Sequence, residues 1–293
     1  MTNDVFSELP DRGAVALVDL VETKNSEVRR DFASRNEHAA KEAGGRVILA
    51  NEAVAPMIVP DESMTTSDDD VGLLVVTRYP TKEAARRAFE QRSHGGSEIG
   101  EDRLRTYAAQ PTNPIESFIG RTLPYTLALL GREAVPEIRD PAALDTVIQR
   151  ALVLGEQPDE KRWTRLTERA GPRPIWMLNF LDFRKTAVYA DDAGTANPDS
   201  PISGARAYQQ YGAGMIRSLA SVGGRVAWSG LRIQQIVGPD DGRWDQIAIA
   251  FYPSPAAMMT MLSLPRYRAA HVHREAALAR TRLLATQPIE TGT

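Results

Sequence analysis

The residues best suited to chemistry lie late in the chain, where Tyr267, His271 and Glu275 follow at i, i+4 and i+8. In a helix this spacing places all three on one face. An imidazole with a carboxylate one turn away suits general-base work, because its free pKa of about 6.5 lies near neutrality. His271 is then the base and Glu275 the group that orients it. The same spacing also describes a plain His–Glu contact on a solvated helix, and the sequence leaves both readings open. Asn179, a polar residue inside an apolar run, could hold a substrate carbonyl or an oxyanion. It could equally mark the solvent side of a strand end. Trp176, Trp228, Tyr211 and Tyr267 are candidates for lining a substrate pocket, with Tyr208 beside them; aromatic residues of this kind also fill ordinary cores.

Other chemistries find less support. The chain has four histidines and no cysteine, so thiolate metal sites, disulfides and a cysteine nucleophile are excluded. His271-Val272-His273 points its two rings about 200° apart around a helix, so no metal site is expected. A haem could use His271 as its single protein ligand. His38 and His273 read as solvated. No phosphate-cradling glycine loop and no nucleophile elbow is present.

The elements that must carry these residues come in two matching sets. Ala16–Glu22 is echoed by Trp176–Asp182, Gly44-Gly45-Arg46-Val47 by Gly223-Gly224-Arg225-Val226, and Tyr79-Pro80 by Tyr252-Pro253. Arg105–Pro111 is echoed by Arg282–Pro288, Asp19 matches Asn179, and His94 with Glu98 matches His271 with Glu275. Matches in one order signal an internal repeat. Each set reads β-α-β-β-α-β, the ferredoxin-like unit. In the first, strands are expected over 14–21, 46–59, 71–79 and 103–110, with helices over 27–43 and 82–92 and a polar turn over 65–70. In the second, strands are expected over 175–183, 225–237, 244–252 and 281–287, with helices over 204–222, 254–262 and 266–280. The Gly44-Gly45 and Gly223-Gly224 pairs stop helices, since glycine enters the left-handed cap cheaply. Arg46 and Arg225 follow those pairs and read as surface residues or as contacts for an anion. The organisation expected is a first repeat over 1–112, a helical connector over 113–173 and a second repeat over 174–293. Within the connector, Leu144, Val147, Ile148 and Leu152 share a helical face, and Pro158-Asp159-Glu160 reads as a helix start.

One such unit covers one sheet face with helices and leaves the other bare. Leu17, Val18, Val75, Trp176, Leu178, Phe180 and Ile249 are too apolar to face water there. Two units in one chain can cover each other, often by curling into a barrel, and linkage raises their effective concentration. The space between them is either a ligand cavity or a solid core.

Composition agrees with a globular protein. Hydrophobic residues make up 42% and charged residues 25%, and the net charge is −3. No basic run marks a nucleic-acid footprint. The apolar run over 122–131 is shorter than the roughly 20 residues of a membrane span, and the acidic start does not read as a secretory leader. A cytoplasmic protein, monomeric or homodimeric, is expected, with no nucleic-acid or membrane partner.

The second repeat resembles the domain-of-unknown-function 1330 family of the dimeric α+β barrel superfamily. The carrying segments are Ile175–Phe180, Gly223–Val226, Trp244–Ala248, Tyr252-Pro253-Ser254 and Tyr267–Leu278. The first repeat is similar more faintly. The resemblance implies the α+β barrel fold. Relatives in that superfamily include cofactor-free monooxygenases, isomerases, cyclases, haem enzymes and binding proteins, so fold alone leaves the function open. The expectation is a cofactor-independent enzyme that removes a proton beside a carbonyl in a small, hydrophobic, oxygenated molecule, leading to oxygenation, isomerisation or cyclisation. A non-catalytic binder and a haem enzyme are the alternatives.

Overall fold

A computed structural model describes residues 6–58, 72–93, 99, 103–112, 126, 131–135, 158–190, 200–240 and 242–289. The first half runs β1 (Val15–Glu22), α1 (Ser26–Glu42), β2 (Arg46–Ile58), β3 (Gly72–Tyr79), α2 (Lys82–Ser93) and β4 (Leu104–Pro111). α3 (Glu160–Ala170) precedes the second half. That half runs β5 (Ile175–Phe183), α4 (Gly204–Ser221), β6 (Arg225–Val237), β7 (Gln246–Tyr252), α5 (Pro255–Ser263), α6 (Pro265–Ala277) and β8 (Leu278–Pro288).

The eight strands close into one barrel in the order β1-β3-β2-β8-β5-β7-β6-β4. Each half contributes a four-stranded antiparallel sheet with its first and third strands in the middle. The halves join edge to edge, β2 to β8 and β4 to β6, so closure removes the exposed strand edges that invite wrong pairing. A single polypeptide supplies both sheets. At the first seam, buried Asn51 donates from Nδ2 to Thr286 Oγ1 at 3.0 Å, and Thr286 donates on to Trp176 O at 3.0 Å. At the second, Gly230 of β6 lies under Trp228, and a Cβ there would come within 2.6 Å of that indole and 2.9 Å of Ala109 Cβ.

Strand alternation divides the apolar residues between two layers. Val18, Trp176, Leu178, Phe180 and Ile249 point into the barrel, where they pack with Tyr107, Trp228 and Trp244 from both halves. Leu17 and Val75 point outward under α1 and α2, so they do not belong to the bare face expected from sequence. Full burial of a side chain such as Phe180 stabilises by about 2–3 kcal/mol.

The helices begin where their capping residues predict. Asn25, Asp159, Ser203 and Ser254 each accept a first-turn backbone N–H through the side chain. α3 packs Trp163, Leu166 and Ala170 into the second half's core. The expected helical face of Leu144, Val147, Ile148 and Leu152 lies outside the described residues, as do the polar turn over 65–70 and His94 with Glu98. Most ends shift by one or two residues, and the largest change is at one junction: α6 stops at Ala277 instead of running to 280, and β8 begins at Leu278 instead of 281. Tertiary contacts decide this. Arg184 and Val188 donate their backbone N–H groups to Ala277 O and Ala276 O, while Leu278 already pairs with Phe183 across the sheet. Among the described residues, no helix is long and apolar enough to cross a membrane.

Candidate functional site

The residues singled out from sequence fall in two places separated by the sheet. Trp176 and Trp228 lie in the barrel interior. Tyr211 and Tyr267 lie on the other side, between α4, α6 and the sheet. Strand parity explains the split: along β5, Trp176 points inward, whereas Ile175 and Met177 join the outer core. One pocket cannot contain all the aromatic candidates.

The outer layer holds a file of polar rings. α4 supplies Tyr208 and Tyr211, α6 supplies Tyr267 and His271, and the end of β7 supplies Tyr252. The two helices approach closely at Gly214, where a Cβ would lie 2.7 Å from Ala270 Cβ. That closeness brings Tyr211 against Tyr267, their hydroxyls 3.4 Å apart. Ring contacts run from Tyr208 to Tyr211 at 5.3 Å, Tyr211 to Tyr267 at 6.2 Å and Tyr267 to His271 at 5.5 Å. Burial pushes the phenols of Tyr208, Tyr211, Tyr252 and Tyr267 above their ordinary value, so all four are neutral hydrogen-bonding groups at physiological pH.

The expected i, i+4, i+8 face forms, with a different electrostatic result. His271 Nδ1 lies 3.6 Å from Glu275 Oε1, outside hydrogen-bond range, and the Glu275 side chain is 57% exposed while that of His271 is 14% exposed. Burial, helped by the nearby Arg274 charge, pulls His271 down from 6.5 to about 4. The imidazole is therefore neutral at pH 7. The distal carboxylate is too solvated to reverse the effect of burial.

Arg274 had no place in the reading of the sequence, yet it organises this layer. The guanidinium is protonated at neutral pH, where Tyr211, Tyr208 and Tyr267 are neutral phenols and Glu275 is the anionic group acting on it. Its Nη2 donates to Thr281 Oγ1 at 3.4 Å. The carboxylate acting on it is the exposed Glu275. The signal was present in the sequence: Arg274 stands seven residues after Tyr267, two turns along the same face.

Asn179 has its amide N–H groups turned to backbone, donating to Met177 O at 3.0 Å and Ala248 O at 3.5 Å. Those donors are not free for a substrate carbonyl. His273 accepts or donates through Nδ1 to Tyr189 OH at 2.8 Å. His38 lies 3.2 Å from Glu42 on an exposed helix face, and Arg225 stacks on Phe251 at 3.9 Å. Among the described residues, no three His, Asp or Glu side chains converge as a metal site would require.

No family model matches the chain, and no curated protein matches it. Among solved structures, it is similar to the RPA0582 protein of unknown function from Rhodopseudomonas palustris, at 33% identity over 45% of this chain and 95% of that one, with a TM-score of 0.39. It is also similar to an anthrone oxidase-like protein, at 12% identity over 96% of this chain and 93% of that one, with a TM-score of 0.46. A mutant chlorite dismutase from Candidatus Nitrospira defluvii matches at 9% identity over 96% and 93% of the two chains, with a TM-score of 0.43. Likenesses this distant carry no argument about chemistry.

Proposed function

We propose that the layer between α4, α6 and the second-half sheet is the active site of an enzyme that removes a proton beside a carbonyl in a small, hydrophobic, oxygenated molecule. The observation carrying this reading is the file of Tyr208, Tyr211, Tyr267 and His271 rings, with the Tyr211 and Tyr267 hydroxyls 3.4 Å apart, and on the same helix the half-buried Arg274 cation beside a Glu275 carboxylate largely in solvent. Such a charge suits an oxygen that becomes anionic only as the reaction proceeds.

Neutral His271 accepts the proton. The C–H bond breaks, its electron pair moves onto the carbonyl oxygen, and Arg274 with the Tyr211 and Tyr267 hydroxyls stabilises the resulting enolate. The Arg274 field that lowers the imidazole's proton affinity in the free protein is partly cancelled once the enolate forms. Proton transfer and charge stabilisation thus support each other. Glu275, at the solvent end of the file, stabilises the imidazolium from a distance. A substrate there would lie against Tyr211 and Tyr267. Whether the enolate goes on to oxygenation, isomerisation or cyclisation depends on what meets it.

The test is deuterium exchange at the acidic CH2 of 2-tetralone in D2O at pD 7.5, followed by proton NMR. The protein should accelerate exchange at least tenfold over buffer, and Arg274→Met and His271→Phe should each remove most of that gain. Exchange no faster than in buffer, or unchanged in both variants, overturns the proposal.

A further inference from the structure

At one end of the barrel, on the opposite side of the sheet from the tyrosine layer, a cleft of about 680 Å³ opens. Tyr107 and Trp244 line it, and both also belong to the barrel interior. Their rings are bridged by Phe180, 4.9 Å from Tyr107 and 5.5 Å from Trp244. The first half supplies Tyr107 and the second supplies Trp244, so the cleft exists only because the two sheets close on each other. Its volume suits a small organic ligand.

Two features of this cleft are not explained by packing. Trp244 is 2% exposed, and its buried Nε1–H has no hydrogen-bond partner among the described residues. A buried donor left unsatisfied is costly, and an acceptor on a ligand would satisfy it. Arg232, also on the cleft wall, has φ 52°. A non-glycine residue avoids that left-handed region unless its surroundings impose it. The cause is a bulge: Gln110 pairs with Leu231 and Ala108 with Gln234, so β6 carries one more residue than β4 over this stretch. Bulges re-aim side chains. Glycine would fit that backbone at lower cost, but the chain places an arginine there.

Glu8 also lines the cleft, and the other arginines and aspartates around it are engaged. Arg243 pairs with Asp245 at 3.2 Å, and Asp245 also accepts Phe183 N–H at 2.8 Å. Arg280 stacks on Trp244 at 4.1 Å and lies 3.7 Å from Asp182. Gln234 Oε1 accepts the Glu8 N–H at 3.2 Å, and Gln235 donates to Pro239 O at 2.7 Å. Arg232 is exposed and, among the described residues, has no ion-pair partner.

We infer that this barrel mouth is a second ligand site, specific for a small aromatic carboxylate. The carboxylate pairs with the Arg232 guanidinium, an oxygen accepts the Trp244 Nε1–H, and the ring lies on the Tyr107–Phe180–Trp244 surface. The inference stands apart from the proposed active site, since no residue is shared.

Isothermal titration of 2-naphthoate into the full chain tests it, with 2-naphthamide as the uncharged analogue. One saturable site is expected. Arg232→Gly, which suits the left-handed backbone, should weaken binding at least tenfold. Trp244→Phe, which keeps a ring but removes the donor, should weaken it several-fold, and the amide should bind at least tenfold more weakly than the acid. Circular dichroism of both variants should match the parent. Absence of saturable binding overturns the inference, as does equal affinity in the Arg232→Gly protein or equal affinity for acid and amide.

Discussion

The two halves of the barrel share an element order but treat the space under their helices in opposite ways. In the first half, Asp19 on β1 is fully buried and meets Arg92 of α2 in a two-pronged ion pair, at 2.6 and 2.8 Å. Thr106 Oγ1 donates to the same carboxylate at 2.6 Å, and Asn36 Oδ1 accepts from Arg92 at 2.5 Å. Tyr79 is raised to about 12 by burial in this layer. In the second half, the position of Asp19 is taken by Asn179, whose amide is turned to backbone. Phenols and one guanidinium occupy the layer instead. One half closes its buried charge with a buried countercharge. The other keeps a cation whose carboxylate is largely in solvent. The two halves thus share an element order but differ in the chemistry of this layer.

The largest effect should come from opening the closed layer. Asp19→Leu strands the Arg92 charge and should cost about 3–5 kcal/mol in urea unfolding. Asp19→Leu with Arg92→Met should recover most of that loss, because an apolar pair leaves no charge uncompensated. If the double variant is as unstable as the single one, the ion pair is not what distinguishes the first half.

The second half should reveal itself through pH. His271 binds a proton in the folded chain only below about 4, whereas its ordinary value is 6.5. The unfolded chain therefore holds more protons between these values, and stability must fall as pH drops through that window. The expected loss is about 2 kcal/mol between pH 7.5 and 5. His271→Phe should remove it, as read from urea midpoints at the two pH values. An unchanged slope would place His271 in water.

Smaller effects are expected from single groups. Tyr267→Phe leaves the Tyr211 hydroxyl without its neighbour and should cost about 1 kcal/mol, with a larger loss in tetralone exchange than in stability. Arg232→Gly should go the other way, raising stability by up to about 1 kcal/mol as the left-handed backbone relaxes. That gain, paired with lost naphthoate binding, would separate the arginine's role in the ligand site from any role in the fold.

Much of the fold is visible in the sequence because its signals are local. The glycine pairs, the Asn25, Ser203 and Ser254 caps and the apolar runs of β1, β5 and β7 depend only on nearby residues. The end of α6 was not visible, since it is set by Arg184 and Val188 reaching across from another element. The candidate site was half visible. Helical spacing put Tyr267, His271 and Glu275 on one face, and the i+7 step to Arg274 lay in the same pattern. Asn179 shows the limit: its polarity marks an exception in the strand, but only the fold turns its donors to Met177 and Ala248.

By itself, the amino-acid sequence determined that two similar units stand in one chain, because backbone preference and apolar periodicity act over a few residues. The tertiary structure decided everything that depends on distance and dielectric. It placed Trp176 on one side of a sheet and Tyr211 on the other, and it put the Arg274 cation beside His271, so that burial and that charge together leave the imidazole neutral. It also joined Tyr107 to Trp244 across two halves far apart in the chain. Those outcomes follow from which residues meet in a low-dielectric interior, a property no local pattern encodes.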